Sequence, residues 1–241
     1  MEVERFSTGR VRPKRASRGP RRYLPGGWSP DTLPVNVFLV HHPAGLCLFD
    51  TGQTARAATP GYHPRWHPFL RLARFELAPE DEIGAQLRRR GVDPESVRWV
   101  VLSHLHTDHV GGVGAFPGAE VIVSRVEWER ARGLAGRLRG YVPQHWPAGE
   151  PVLVDLAGPA VGPFPGSFDL SGDGRLLLLA APGHTPGHLA LLACDGAGGF
   201  FLGGDLARIP AELPAEVAEF CDRERLVVLL AHDDEAAGLA R

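Results

Sequence analysis

The sequence predicts a mixed α/β protein in which one rim of a β core carries the chemistry. Short apolar, β-branched runs of strand length alternate with segments of helical pattern along the chain. One such run, Trp99-Val100-Val101-Leu102-Ser103, leads directly into His104-Leu105-His106-Thr107-Asp108-His109, where four metal-competent side chains fall within six residues. His184, Asp205 and His232 also follow apolar runs, directly or by a few residues. Ligands at strand ends place a site where rigid elements fix loop-borne chemistry.

Taken in order, residues 1–34 are rich in Arg, Pro and Gly. Within the first 25, Arg5, Arg10, Arg12, Lys14, Arg15, Arg18, Arg21 and Arg22 stand against only Glu2 and Glu4. A run of this kind reads as a solvated basic arm that packs on or extends a single domain over residues 35–241. A contact to an anionic partner or to another subunit is the minority reading. Val35 to Val40 and Leu46 to Asp50 are apolar runs separated by His41-His42-Pro43-Ala44-Gly45, the pattern of a hairpin. Asp50-Thr51-Gly52 closes the second run. Asp50 there either holds a ligand histidine through its second ring nitrogen or simply makes a turn. Residues 53–78 are weakly periodic but carry Tyr62, His63, Trp66, His67, Phe69 and Phe75. These aromatics either wall a pocket or form a satellite core beneath the loop.

Glu80 to Arg90 has helix signals: Pro79 near the start, acids first, arginines last and Gly91 after. The strand ending at Ser103 presents His104 and His106 to one side, because residues i and i+2 share a face. Asp108 and His109 come after the chain turns, and Gly111-Gly112 lets the backbone bend closely. Ala119 to Ser124 reads as a strand and runs into a helix whose Ser124 and Glu127 fit a capping box. Residues 133–150 are loop-like. Val152 to Asp155, Leu176 to Ala181, Leu189 to Cys194, Phe200 to Leu202 and Val227 to Leu230 read as strands, and Pro210 to Asp222 as a helix.

Hydrophobic residues make up 44% and charged residues 22% of the 241, ordinary for a soluble globular chain. The formal net charge of −2 gives no general case for nucleic acid or membrane binding. Cys47, Cys194 and Cys221 are odd in number, widely spaced and in apolar or helical contexts, as expected of small buried residues in a reducing compartment. Without a signal-peptide pattern or a run long enough to span a bilayer, a cytoplasmic location is expected. The chain's oligomeric state is open, with a homodimer as one expectation.

The strand-end groups His104, His106, Asp108, His109, His184, Asp205 and His232 exceed what one zinc takes. Two metals resolve the count. His104, His106 and His184 hold one; Asp108, His109 and His232 hold the other; Asp205 spans both. Mixed imidazole and carboxylate ligation suits zinc, iron, manganese or cobalt. Such a pair lowers the pKa of bound water from 15.7 to roughly 7 and binds both oxygens of a scissile ester, an apparatus for hydrolysis. No G-x-S-x-G and no P-loop competes with it.

Ser103-His104-Leu105-His106-Thr107-Asp108-His109-Val110-Gly111-Gly112 resembles the signature of the metallo-β-lactamase superfamily. Asp50-Thr51-Gly52, Pro182-Gly183-His184-Thr185-Pro186-Gly187-His188, Gly204-Asp205 and Ala231-His232-Asp233 are similar to its further motifs, in order, over roughly residues 35–234. The resemblance implies a four-layer αβ/βα sandwich with a dinuclear site at the edge between two sheets. Within the superfamily the chain is most similar to the quorum-quenching N-acyl-homoserine lactonases. It departs from them at Arg208, where those enzymes carry a tyrosine that polarises the substrate carbonyl, three residues past the bridging aspartate. The Asp205 to His232 interval is also short for that group.

The reading that results is a dinuclear hydrolase, most expected with zinc, that opens lactones or cleaves related carboxylic esters. A metal-bridging hydroxide attacks the carbonyl and Asp108 handles the proton. Arg208 either donates to the oxyanion, pairs with a substrate carboxylate, or faces solvent. The alternatives are a thioesterase of the glyoxalase II kind, a phosphoester hydrolase, or an iron-dependent oxidoreductase on the same fold. A nuclease has only the arginine-rich arm to support it. A structural zinc module needs neither a bridging carboxylate nor an open position.

Overall fold

The computed structural model describes residues 1–16, 25–64, 73–196 and 198–234. The strands, in chain order, are β1 (Glu2–Ala16), β2 (Pro25–Trp28), β3 (Leu33–His42), β4 (Gly45–Phe49), β5 (Ala73–Glu76), β6 (Val97–Val101), β7 (Glu120–Ser124) and β8 (Val152–Val154), then β9 (Ser167–Asp169), β10 (Leu176–Ala180), β11 (Leu189–Cys194), β12 (Gly199–Gly204) and β13 (Leu226–Leu230). The first eight form one sheet in the order β2-β1-β3-β4-β6-β7-β8, with β5 on β1; the last five form a second, β13-β12-β11-β10-β9. The α-helices are α1 (Ile83–Arg89), α2 (Thr107–Val110), α3 (Arg125–Ala131), α4 (Gly133–Leu138) and α5 (Ala215–Arg223).

Strand alternation explains the layering. In β3, Phe38 and Val40 point into the space between the sheets while Val37 and Leu39 point to the helices outside. In β6, Trp99 and Val101 face inward while Val100 packs outward. The second sheet answers with Leu189, Leu191 and Ala193 inward and Ala190 and Leu192 outward against Phe220 and Cys221 of α5. Both faces of both sheets are therefore buried, which is why these strands read as continuous apolar runs. Ile83 and Leu87 of α1 and Ala131 of α3 cover the outer face of the first sheet. The result is helices, sheet, sheet, helices: the expected four-layer sandwich.

Several expectations hold closely. The hairpin is β3 and β4 with His42 opposite Gly45, and α5, β11 and β13 fall within a few residues of their predicted places. Cys47 and Cys221 are buried and Cys194 half-buried, all three as free thiols.

The basic arm is a correction. Residues 2–16 are not a solvated arm but the long strand β1, paired antiparallel to β3 from Glu2↔His41 to Val11↔Leu33. Val3, Phe6 and Val11 are buried, while neighbouring arginines find partners far along the chain: Arg10 bonds Asp234 and Thr32, and Arg12 bonds Glu76. The charges mask an amphipathic strand because long cationic side chains can cross an apolar edge and still reach water. Arg18, Arg21 and Arg22 lie outside the described residues, as do Trp66, His67 and Phe69. Of the remaining aromatics in that loop, Tyr62 stacks on His145 at 3.8 Å between ring centroids and His63 meets both rings edge-on. The rings pack beneath the loop, and Tyr62 and His145 also line a pocket with Trp146, so the structure supports both readings. The segment 133–150 is not all loop, since α4 occupies its first six residues. Among the described residues, no helix is long and apolar enough to cross a membrane.

Candidate metal centre

All seven predicted ligands converge. The β6 strand ends at Val101 and its extension carries His104; His106 caps α2, which carries Asp108 and His109. His184 comes from the β10–β11 loop, Asp205 from the residue after β12, and His232 from two residues after β13. The two sheets are joined at this rim: Leu189 N–H donates to Ser103 O at 2.8 Å, and Asn36 of β3 donates through Nδ2 to Leu230 O and Asp233 O.

The donor atoms fall into two triads. His104 Nε2 lies 2.9 Å from His106 Nδ1, which lies 3.0 Å from His184 Nε2. This is the first triad. Asp108, His109 and His232 form the second, with His232 Nε2 3.8 Å from Asp108 Oδ2. Asp205 stands between them. Its Oδ2 is 3.4 Å from His184 Nε2, while its Oδ1 is 3.3 Å from His109 Nε2 and 3.4 Å from His232 Nε2. One carboxyl group thus offers one oxygen to each triad.

The outward ring nitrogens decide what the inward ones present. His106 Nε2 donates to Arg139 O at 3.1 Å and His232 Nδ1 to Pro34 O at 2.7 Å. His109 Nδ1 donates to Asp50 Oδ2 at 2.8 Å. Ser103 Oγ gives its proton to Asp50 Oδ2, so it accepts from His104 Nδ1 at 3.0 Å. In each neutral ring a lone pair then points inward, the arrangement that outer partners impose on metal-ligating histidines. His104 Nε2 and His106 Nδ1 are then two lone pairs 2.9 Å apart with no proton between them, and His109 Nε2 and Asp205 Oδ1 are buried without a hydrogen-bond partner. The donor set fits cations at both triads.

Asp50 therefore holds a ligand histidine rather than only making a turn. It also takes Ser103 N–H on Oδ1 at 2.7 Å, and it adopts a left-handed φ of 62° to do so. Gly52, just beyond it, has a φ of +65°, and a Cβ there would run into Thr8.

The two triads differ in charge. Burial, then the neighbouring His109 and His106, holds His104 well below the usual imidazole range. Burial, then His184, brings His106 down to about 4. In the second triad burial alone would also lower the imidazoles, but Asp205 and Asp108 outweigh it and lift His232 to about 9. Asp205 and Asp50 likewise raise His109 well above its ordinary value against the pull of burial. Asp205 is held well below the carboxylate range, burial being overcome by His232 and His109.

Arg208 is not brought to the cluster. It is half exposed and pairs with Glu212 one turn on, at 2.9 Å, so the solvent-facing reading is the one the structure adopts. Conversely, two residues outside the predicted ligand set matter here. His188, second histidine of the Pro-Gly-His repeat, is 1% exposed and accepts Asp205 N–H on Nε2 at 3.1 Å. Burial, with His184 and His109 close by, holds its ring down to about 3, despite the counter-pull of Asp205, so it stays a neutral acceptor. Glu127, fully buried, is not the second half of a capping box. Ser124 Oγ does accept Glu127 N–H at 3.0 Å, but the Glu127 carboxyl turns away to Leu105 N–H and Thr185 Oγ1. Buried donors need partners more than a helix end that water can reach.

The comparisons with known proteins agree with this architecture. Residues 30–236 match the metallo-β-lactamase superfamily, and the chain belongs to that superfamily. It is 34% identical over 168 residues to the N-acyl homoserine lactonase AttM of Azorhizobium caulinodans, a match covering 66% of this chain and 59% of that protein. An N-acyl homoserine lactonase of Bacillus cereus is 32% identical over 164 residues, covering 66% of this chain and 58% of its own length. The matched region thus spans less than two thirds of these relatives. Among solved structures, an N-acyl homoserine lactone hydrolase with N-hexanoyl-L-homoserine at its catalytic metal centre superposes with a TM-score of 0.71 at 22% identity, over 100% of this chain and 96% of that one. The dizinc quorum-quenching lactonase AidC gives 0.60 at 17%, over 95% and 86%. These likenesses bear on the fold.

Proposed function

We propose that this chain is a metal-dependent hydrolase that opens lactone rings, with N-acyl homoserine lactones as the substrate class and two zinc ions as its metals. One observation carries the reading: the two carboxyl oxygens of Asp205 divide between two triads of buried donors. A single structural metal needs no shared carboxylate, whereas two adjacent cations do. Bound there, two divalent cations supply a water ionisable near neutral pH and electrophilic help to a carbonyl oxygen. The imidazole and carboxylate donors suit zinc.

The chain's own groups supply the rest. Asp50, Ser103, Arg139 O and Pro34 O hold the imidazoles in register. To Asp108, buried but not sealed at 7% exposure, this reading gives the role of passing a proton to the departing alkoxide. With Arg208 engaged by Glu212, no side-chain cation from that position assists the carbonyl. The relatives' names support the lactone as substrate.

The test is a panel of N-acyl homoserine lactones, thioesters, phosphoesters and β-lactams presented to the zinc-loaded protein. Ring opening of the lactones, abolished by chelation and restored by zinc, is expected. Turnover of a thioester or phosphoester with the lactones untouched would overturn the assignment.

A further inference from the structure

We propose that Glu127 is a positioning residue that sets the first triad, locking the loop bearing His104 and His106 to the loop bearing His184. These loops leave different sheets, 78 residues apart from His106 to His184, and neither holds the other through its ligands alone. The Glu127 side chain lies between them, 0% exposed. Its Oε1 accepts the N–H of Leu105, the residue between His104 and His106, at 3.1 Å. Its Oε2 accepts Thr185 Oγ1–H, next to His184, at 2.8 Å, and Gly187 N–H at 3.3 Å. One carboxyl group therefore spans the gap between the two sources of the triad.

The surroundings are built to the same end. Ser124, which caps α3 and so places Glu127, donates its Oγ–H to Gly187 O at 2.7 Å. Gly187 must be a glycine, because a Cβ there would run into the Glu127 backbone. Tyr141 lies against the pair: burial and then Glu127 hold its phenol well above the usual range, so it stays a protonated neighbour. Its ring centroid sits 5.0 Å from that of His106. Nothing comparable joins Glu127 to Asp108, His109 or His232; among the described residues the second triad depends instead on Asp50, Thr51 and Pro34. Glu127 touches neither the ligand atoms nor a substrate. Its effect must pass through the spacing of three nitrogens, and outer partners of metal ligands contribute about 10–100-fold in metal affinity.

The inference rests on the two-metal reading above, and its test separates the two. Metal content, chelator competition and cadmium NMR are measured on wild type, Glu127→Gln and Thr185→Val. Wild type binding a single metal sinks the two-metal reading itself. Given two metals in wild type, Glu127→Gln keeps the size but puts an amide NH2 against one set of donors. It should weaken one metal by about 10–100-fold, shifting or losing one cadmium resonance while the other stays. Thr185→Val, which removes one buried donor and leaves Glu127 Oε2 with Gly187 N–H, should move the same resonance by less. If Glu127→Gln does not fold, Thr185→Val alone decides. Both resonances and both affinities unchanged, even with a lowered Tm, would make Glu127 a packing residue and overturn the proposal. Equal weakening of both metals would do the same.

Discussion

The two triads of the candidate metal centre have the same number of donor residues and opposite electrostatics. The first is three imidazoles facing one another, with His104 and His106 kept neutral by burial and by each other. The second contains a carboxyl group and shares another, so His109 and His232 favour the protonated form. A proton therefore competes with a cation at the second triad and does not at the first. The difference teaches that ligand identity alone does not set a site's behaviour. Which acid stands beside which imidazole decides whether a triad is a cluster of lone pairs or a balanced set of ions.

The change that should erase the distinction altogether is Asp205→Ala, because both triads lean on its oxygens. Metal content should fall well below two equivalents and lactone turnover should drop by at least about a hundredfold, the upper end of what loss of an outer partner costs. Retention of both metals would show the triads to be independent and end the bridging assignment.

Charge sharpens the comparison through pH. For His109 and His232 the folded values lie above the ordinary 6.5, so without metal their stabilisation is complete below about 6.5 and is lost as pH rises, for His232 through about 9. For His104 and His106 the folded values lie below 6.5, so the folded chain loses ground as pH falls from there, for His106 towards about 4. Chelator-treated protein should thus show a Tm maximum near pH 6.5 with decline on both sides. Saturating zinc should flatten the alkaline arm, since the cation then replaces the protons. A Tm that climbs steadily to pH 9 in chelated protein contradicts the assignment of charge to the second triad.

The smallest effect is expected at Arg208, which belongs to neither triad. Arg208→Ala breaks an exposed i,i+4 pair with Glu212, worth about 0.3–0.5 kcal/mol, and should leave kcat and KM for lactones unchanged. A fall in kcat with no change in Tm would return Arg208 to the reaction.

The candidate metal ligands were legible because their spacing is local. His104, His106, Asp108 and His109 follow one buried strand, and a strand end followed by a tight turn admits few placements of their side chains. The hairpin, the doubly buried strands and the flanking helices were legible for the same reason: period and punctuation are properties of neighbouring residues. Asp50 was visible as a candidate, but the choice between turn and support needed His109, 59 residues away. Three features were not settled by the sequence. The strand β1 is hidden by arginines whose partners, Glu76 and Asp234, are distant in the chain. Glu127 looks like a helix cap because its position relative to Ser124 satisfies that pattern, yet its donors come from Leu105 and Thr185. Arg208 occupies a position that resemblance assigns to a catalytic group, and one turn of chain onward Glu212 draws it to the surface. By itself, the sequence determined which atoms could bind metal and at which strand ends they stand, since short-range geometry settles both. Only the tertiary structure decided which buried carboxyl groups hold those atoms in place, because a buried acid takes whichever donors the packed sheets bring to it.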